Sequence, residues 1–185
     1  MKAIIRAAVC LAVLGITTTA FAQRNELSIT AGANFPRNNQ FDTGPSLAVG
    51  ASFAHRIVYV PLASVYWELP VVVAPKSVLR VPSRTNYSSV FFTPSLKVKL
   101  APEFPVSPFF VAGAGFARFQ QDTPDEAVNT GVFSYGGGLD MKFFPYLSWR
   151  FEARDYYTGS PSFSAIGDTG RQHNIVAQTG VVFRF

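Results

Sequence analysis

Residues 173–185 read HNIVAQTGVVFRF and alternate up to the last position. Ile175, Ala177, Thr179, Val181, Phe183 and Phe185 share one side of an extended chain. Asn174, Val176, Gln178, Gly180, Val182 and Arg184 share the other. Successive side chains of a strand point to opposite faces, so this is the period of a strand lying between two different media. Chain ends are usually hydrophilic and frayed. A strand that keeps its pattern to Phe185 is expected to be tied into a sheet, with its aromatic face toward an apolar surrounding.

The same period recurs upstream. It predicts eight strands, at 24–35, 45–57, 58–71, 87–100, 108–119, 131–143, 147–157 and 173–185. In the fourth, Val90, Phe92, Pro94, Leu96, Val98 and Leu100 oppose Ser89, Thr93, Ser95, Lys97 and Lys99. In the sixth, Phe133, Tyr135, Leu139, Met141 and Phe143 oppose Ser134, Gly136, Gly138, Asp140 and Lys142. The seventh sets Leu147, Trp149, Phe151 and Ala153 against Arg150, Glu152, Arg154 and Tyr156, and the first sets Leu27, Ile29, Ala31, Ala33 and Phe35 against Glu26, Ser28, Thr30 and Asn34. The fifth, PFFVAGAGFARF, is ambiguous because both its faces are apolar or small.

The first 22 residues have a different composition. Lys2 and Arg6 precede an apolar run, Ala7–Ile16, and Ala20-Phe21-Ala22 has the small-x-small form of a signal-peptidase site. The run is too short for a spanning helix, which needs about 20 residues. We expect a cleaved export signal at 1–22 and a mature domain at 23–185. That domain has no cysteine, and its formal charge falls from +5 to +3. Its basic residues do not cluster as a nucleic-acid surface would require.

A soluble sandwich would bury the apolar faces. Three features favour the inverse. The strands are near the ~9–11 residues that cross a bilayer at a tilt. The connections after strands one, three, five and seven (36–44, 72–86, 120–130, 158–172) are long and polar, whereas those near 56–57, 101–107 and 144–146 are short. Aromatics gather near strand ends: Phe35, Tyr59, Trp67, Tyr87, Phe109, Phe119, Phe133, Phe143, Tyr146, Trp149 and Tyr157. Together these describe an all-β chain, an eight-stranded antiparallel up-and-down transmembrane β-barrel with aromatic girdles. In hydrocarbon every backbone polar group needs a partner, and an edgeless sheet supplies one. The charges then belong to the lumen: Glu26, Glu68, Lys97, Lys99, Arg118, Asp140, Lys142, Arg150, Glu152, Arg154 and Arg184. We expect them to form an ion-pair network that plugs the barrel, with Glu152 between two arginines as its hub.

Signal, eight alternating strands and an aromatic last residue together resemble the small outer-membrane β-barrel proteins of Gram-negative bacteria, the OmpA/OmpX-like group. The resemblance covers 23–185. It implies residence in the cell outer membrane, contact with outer-membrane lipid and lipopolysaccharide, and a monomer. It also implies that Val181, Phe183 and Phe185 form the recognition signal read by the barrel-insertion machinery. The peptidoglycan-binding domain that often follows such barrels is not expected here, so wall anchoring is not carried over.

Some barrels of this size modify lipids, and the mature chain's two histidines are the candidate catalytic groups. His55 is expected near a periplasmic turn and His173 near the outer rim. There Asp155 or Asp168 could orient His173, and Ser160, Ser162 or Ser164 could serve as nucleophile, but no spacing supports a triad. Two separated histidines and no mature cysteine argue against a transition-metal site, and the loop QDTPDEA (Asp122, Asp125, Glu126) does not match a calcium-binding loop. The glycines of 113–115 and 136–138 read as structural. No cofactor is expected. The sequence thus points to a structural or interaction protein of the outer membrane, with a small channel and a lipid-modifying hydrolase using His173 as alternatives, and a soluble lipocalin-like barrel as the reading to exclude.

Overall fold

The computed structural model describes residues 24–38, 44–79, 85–122, 125–159, 162–163, 167–168 and 171–185. The expected signal at 1–22 lies outside the described residues. The barrel strands are β1 (Asn25–Asn38), β2 (Ser46–Val60), β3 (Ala63–Leu79), β4 (in two pieces, Thr85–Phe92 and Ser95–Leu100), β5 (Val106–Asp122), β6 (Asp125–Phe144), β7 (Leu147–Thr158) and β8 (Gln172–Arg184). Each pairs antiparallel with the next, and β8 returns to β1 in a continuous register from Glu26↔Arg184 to Asn38↔Gln172. Asn25 and Phe185 exchange both backbone hydrogen bonds, at 2.9 and 3.0 Å. The sheet is a closed eight-stranded antiparallel barrel. A separate two-residue ladder joins Ser162–Phe163 to Gly167–Asp168.

The polarity of this sheet is inside out. Ile29 and Leu47 are 60% exposed and Phe110 63%, whereas Glu68, Lys97 and Asp140 are 0% exposed. In water, a contiguous apolar belt of this kind would be an aggregation surface. Leu27 to Phe35 on β1 give it a height of roughly 20–25 Å at the usual strand rise and tilt, close to the ~25 Å apolar band of transmembrane barrels.

Two local devices let a narrow barrel close. Pro94 has no N–H to give, and β4 breaks there; Ala114 of β5 donates its N–H to the Pro94 carbonyl at 3.2 Å. Opposite the break, a Cβ on Gly115 would sit 2.0 Å from the Phe92 carbonyl oxygen. On β6, a Cβ on Gly138 would meet the Phe151 carbonyl at 2.1 Å and the Phe109 ring at 2.7 Å. Only glycine permits that approach of strand and ring.

Several boundaries differ from the sequence expectation. The β2–β3 turn is at Pro61-Leu62, not Arg56-Ile57: a bulge between Arg56 and Val58 shifts the register, and β2 runs on to Val60. The expected loops 72–86 and 120–130 are largely strand. β3 continues to Leu79, β4 begins at Thr85, and β5 and β6 stay paired as far as Asp122↔Asp125. Beyond an apolar medium a ladder needs no apolar face, so alternation fades while backbone pairing persists. The short turns share one end of the barrel with Asn25 and Phe185, here the turn end; the opposite rim is the loop end.

Candidate functional site

The lumen at and above the turn end holds a layer of ion pairs. Glu26 on β1 is bonded to Lys97 at 2.8 Å and to Lys99, and lies 3.3 Å from both Arg150 and Arg184. Asp140 on β6 takes Nε and Nη2 of Arg150 at 2.8 and 2.9 Å, Lys99 at 2.6 Å and Arg184 at 3.5 Å. Glu68 on β3 takes Arg154 at 2.7 Å and the Ser52 hydroxyl at 2.7 Å, with Lys97 at 3.4 Å and Arg150 at 3.5 Å. Lys97 and Lys99 lie 5.1 and 5.3 Å from the centre of the Tyr66 ring. Arg150 stacks over Phe109, with its guanidinium carbon 4.7 Å from the ring centre.

Among the described residues the layer joins Lys97, Lys99, Arg150, Arg154 and Arg184 to Glu26, Glu68, Asp140 and Glu152. Its hub is Arg150, which reaches all four carboxylates. Glu152 is not the hub: it bonds Arg154 and lies 3.9 Å from Arg150. A long guanidinium near the barrel axis spans the lumen, whereas the shorter carboxylate stays by its own wall. Lys142 is half-buried at the turn end, outside these pairs. Arg118 is the clear miss, for it is exposed on the outer face. On β5 the inward residues are Ser107, Phe109, Val111, Ala117 and Phe119, so Arg118 points away from them.

The same parity moves two supposed girdle aromatics indoors. Phe109 and Phe119 are each 1% exposed. Toward the loop end a second lumen layer, apolar, packs Phe91 against Tyr156 (stacked, 4.7 Å) and against Phe119 (edge-on, 5.9 Å), with Ala48, Val72, Ala117, Val132 and Val176 around them. Its signal was present in the chain: Phe91 alternates with Ser89 and Thr93 on the inward face. The side chain of Tyr87 lies outside the described residues. Val181, Phe183 and Phe185 form one outward strip on β8, with Phe183 stacked on Phe185 at 5.8 Å.

Outside the barrel, a polar group of residues sits at the loop end. Register places Arg37, His173, Tyr157 and Phe133 in one row across β1, β8, β7 and β6, and Phe35, Ile175, Asp155 and Tyr135 in the row below. His173 Nδ1 is 2.7 Å from Asp155 Oδ2, which also accepts from the Tyr135 hydroxyl at 2.9 Å. The His173 ring lies against Tyr157, 4.7 Å between centres. Asp155 is thus a partner of the histidine, and the side chain of Asp168 lies outside the described residues. Ser160 and Ser164 lie outside the described residues, as does the side chain of Ser162. His55, near the turn end, has Nδ1 2.8 Å from Asn25 Oδ1. Among the described residues no group of three potential metal ligands comes together.

No family model matches the sequence, and no curated protein matches it. Solved structures do. Neisserial surface protein A superposes with a TM-score of 0.65 at 14% identity, over 89% of this chain and 98% of its own. Ail of Yersinia pestis, crystallised with the heparin analogue sucrose octasulfate, gives 0.52 at 13% identity over 86% and 99%. OprG from Pseudomonas aeruginosa gives 0.52 at 11% identity over 88% and 96%. At such identities the likeness is one of fold. A closed barrel of eight antiparallel strands, apolar outside and charged within, gives this chain the fold of the small outer-membrane β-barrels.

Proposed function

We propose that the protein is an integral outer-membrane protein with a structural or interaction role, whose barrel is closed to solutes by its own side chains. The carrying observation is the two-layer filling of the lumen, ions toward the turn end and Phe91, Phe119 and Tyr156 toward the loop end. Charges placed there are paired and hydrogen-bonded, as burial demands, and the aromatic layer closes what the ions leave. In this reading the turn end faces the periplasm, the loops face outward, and the Val181, Phe183 and Phe185 strip is what the insertion machinery reads. Interaction then belongs to the loop end and the lipid-facing rim, since a plugged lumen offers no ligand path. The test is planar-bilayer recording on refolded protein. Stable stepwise currents would favour the channel alternative; a silent, heat-modifiable protein fits the closed barrel.

The hydrolase alternative keeps one observation, the His173–Asp155 hydrogen bond. Incubating lipid A with the protein and with His173→Ala, then weighing the lipid by mass spectrometry, tests it. We expect unchanged lipid in both.

A further inference from the structure

We infer that the loop-end rim of β1, β7 and β8 is a binding site for the phosphate of an outer-leaflet lipid, held by Arg37, Arg171 and His173; the inference rests on the membrane placement proposed above. Arg37, Tyr157, Arg171, His173 and Ile175 line an open cleft of about 520 Å³, room for a phosphorylated sugar. The cleft is on the outside of the barrel, not at the mouth of the lumen. Register fixes its level. Below the row of Arg37 and His173, the outer face of β1 carries Phe35, Ala33, Ala31, Ile29 and Leu27, and that of β8 carries Ile175, Ala177, Thr179, Val181 and Phe183. No charged residue appears on either face until the turn end. The cations therefore stand where an apolar belt gives way to headgroups.

A guanidinium facing lipid tails is expensive, while one at headgroup level is drawn to anionic groups there. Among the described residues, the carboxylate nearest the cleft does not fill that role. Asp155 Oδ2 is committed to His173 Nδ1 and to the Tyr135 hydroxyl. That bond leaves His173 Nε2 as the ring nitrogen available to the cleft, and the ring lies tilted by 49° against Tyr157. Two guanidiniums and an imidazole around one cleft match the oxygens of a phosphate monoester, which accept charge-assisted and bidentate hydrogen bonds. The apolar rows beneath, including the small side chains of Ala33, Ala153 and Ala177, leave a lane for the acyl chains of the same lipid.

The experiment uses the protein extracted in zwitterionic detergent and native mass spectrometry against four probes: bis-phosphorylated lipid A, its dephosphorylated form, inorganic phosphate and sucrose octasulfate. We expect lipid A to bind, the dephosphorylated form to bind at least tenfold more weakly, and millimolar phosphate not to compete. Arg37→Gln and Arg171→Gln should each weaken lipid A binding about tenfold, since each removes charge-assisted bonds. Heat-dependent gel mobility of both variants must match wild type; if one fails to fold, the other and His173→Gln carry the test. Equal binding of lipid A by the double variant, equal binding of the dephosphorylated lipid, or tighter binding of sucrose octasulfate would each overturn the assignment. Failure of the membrane reading shows separately: the protein would then stay soluble without detergent and fractionate away from outer membranes.

Discussion

Replacing Arg150 by methionine isolates the part of the lumen that the ion layer depends on most. The side chain is 1% exposed and donates two near-parallel hydrogen bonds to Asp140, at 2.8 and 2.9 Å. It also stands within 3.3–3.9 Å of Glu26, Glu68 and Glu152. Methionine keeps the length and removes the charge. Breaking one side of a buried pair costs about 3–5 kcal/mol. Asp140 retains Lys99 at 2.6 Å, so the lower end applies, and about 3 kcal/mol raises the unfolding constant roughly 150-fold. Glu152→Gln should cost only about 1 kcal/mol, because Glu68 still holds Arg154 at 2.7 Å and the carboxylate is near Arg150 only at 3.9 Å. Urea titration in lipid vesicles, followed by tryptophan emission, reads both. Trp67 and Trp149, the two tryptophans of the chain, are on the outer face and report insertion directly. Arg150→Met within about 0.5 kcal/mol of wild type, or Glu152→Gln as costly as Arg150→Met, would refute the hub assignment.

Arg150→Met alone should leave planar bilayers silent, because the Phe91, Phe119 and Tyr156 layer still blocks the lumen; adding Phe91→Ala and Phe119→Ala should produce measurable conductance. Gly138→Val should abolish the heat-modifiable folded form, since its Cβ has a carbonyl at 2.1 Å, whereas Gly131→Ala, with nothing within 4 Å, should fold as wild type. Arg118→Leu should change stability by less than about 0.5 kcal/mol, against about 3 kcal/mol for Lys97→Met, both read by the same titration. Raising NaCl from 0.1 to 1 M should shift the midpoint little, because buried pairs are poorly screened; a steep loss would place the pairs in contact with solvent.

Where two media differ strongly in polarity, the chain announced its structure. β8, β6 and β7 carry their faces openly, and Glu26, Lys97, Asp140 and Arg150 could be assigned inward from alternation alone. The signal weakened for physical reasons. On β5 the narrow lumen wants glycines and alanines, and so does close strand packing, which hid the parity that sends Phe109 and Phe119 in and Arg118 out. Past the apolar belt, residues 72–79 and 120–122 pair by backbone without needing a pattern, and they read as loop. Glu152 could be read beside Arg150 and Arg154 on its own strand, but pairing partners across the lumen were not legible. Which carboxylate meets which cation depends on register and on side-chain reach across the barrel, and neither is written in a single strand.

The bond between Glu26 and Arg184 joins residues 158 positions apart, and the other cations around Glu26 are 71, 73 and 124 positions away. Such separations make folding a late and slow event, because loop closure must be achieved before these contacts stabilise anything. Until β8 meets β1, Arg184 is left with Asp140 alone and Glu26 lacks one of its four cations, so an open sheet carries incompletely paired charge into an apolar medium. Closure and charge neutralisation therefore arrive together. A chain stalled before that step would be held back by its own electrostatics, and half-formed barrels would be disfavoured inside the bilayer.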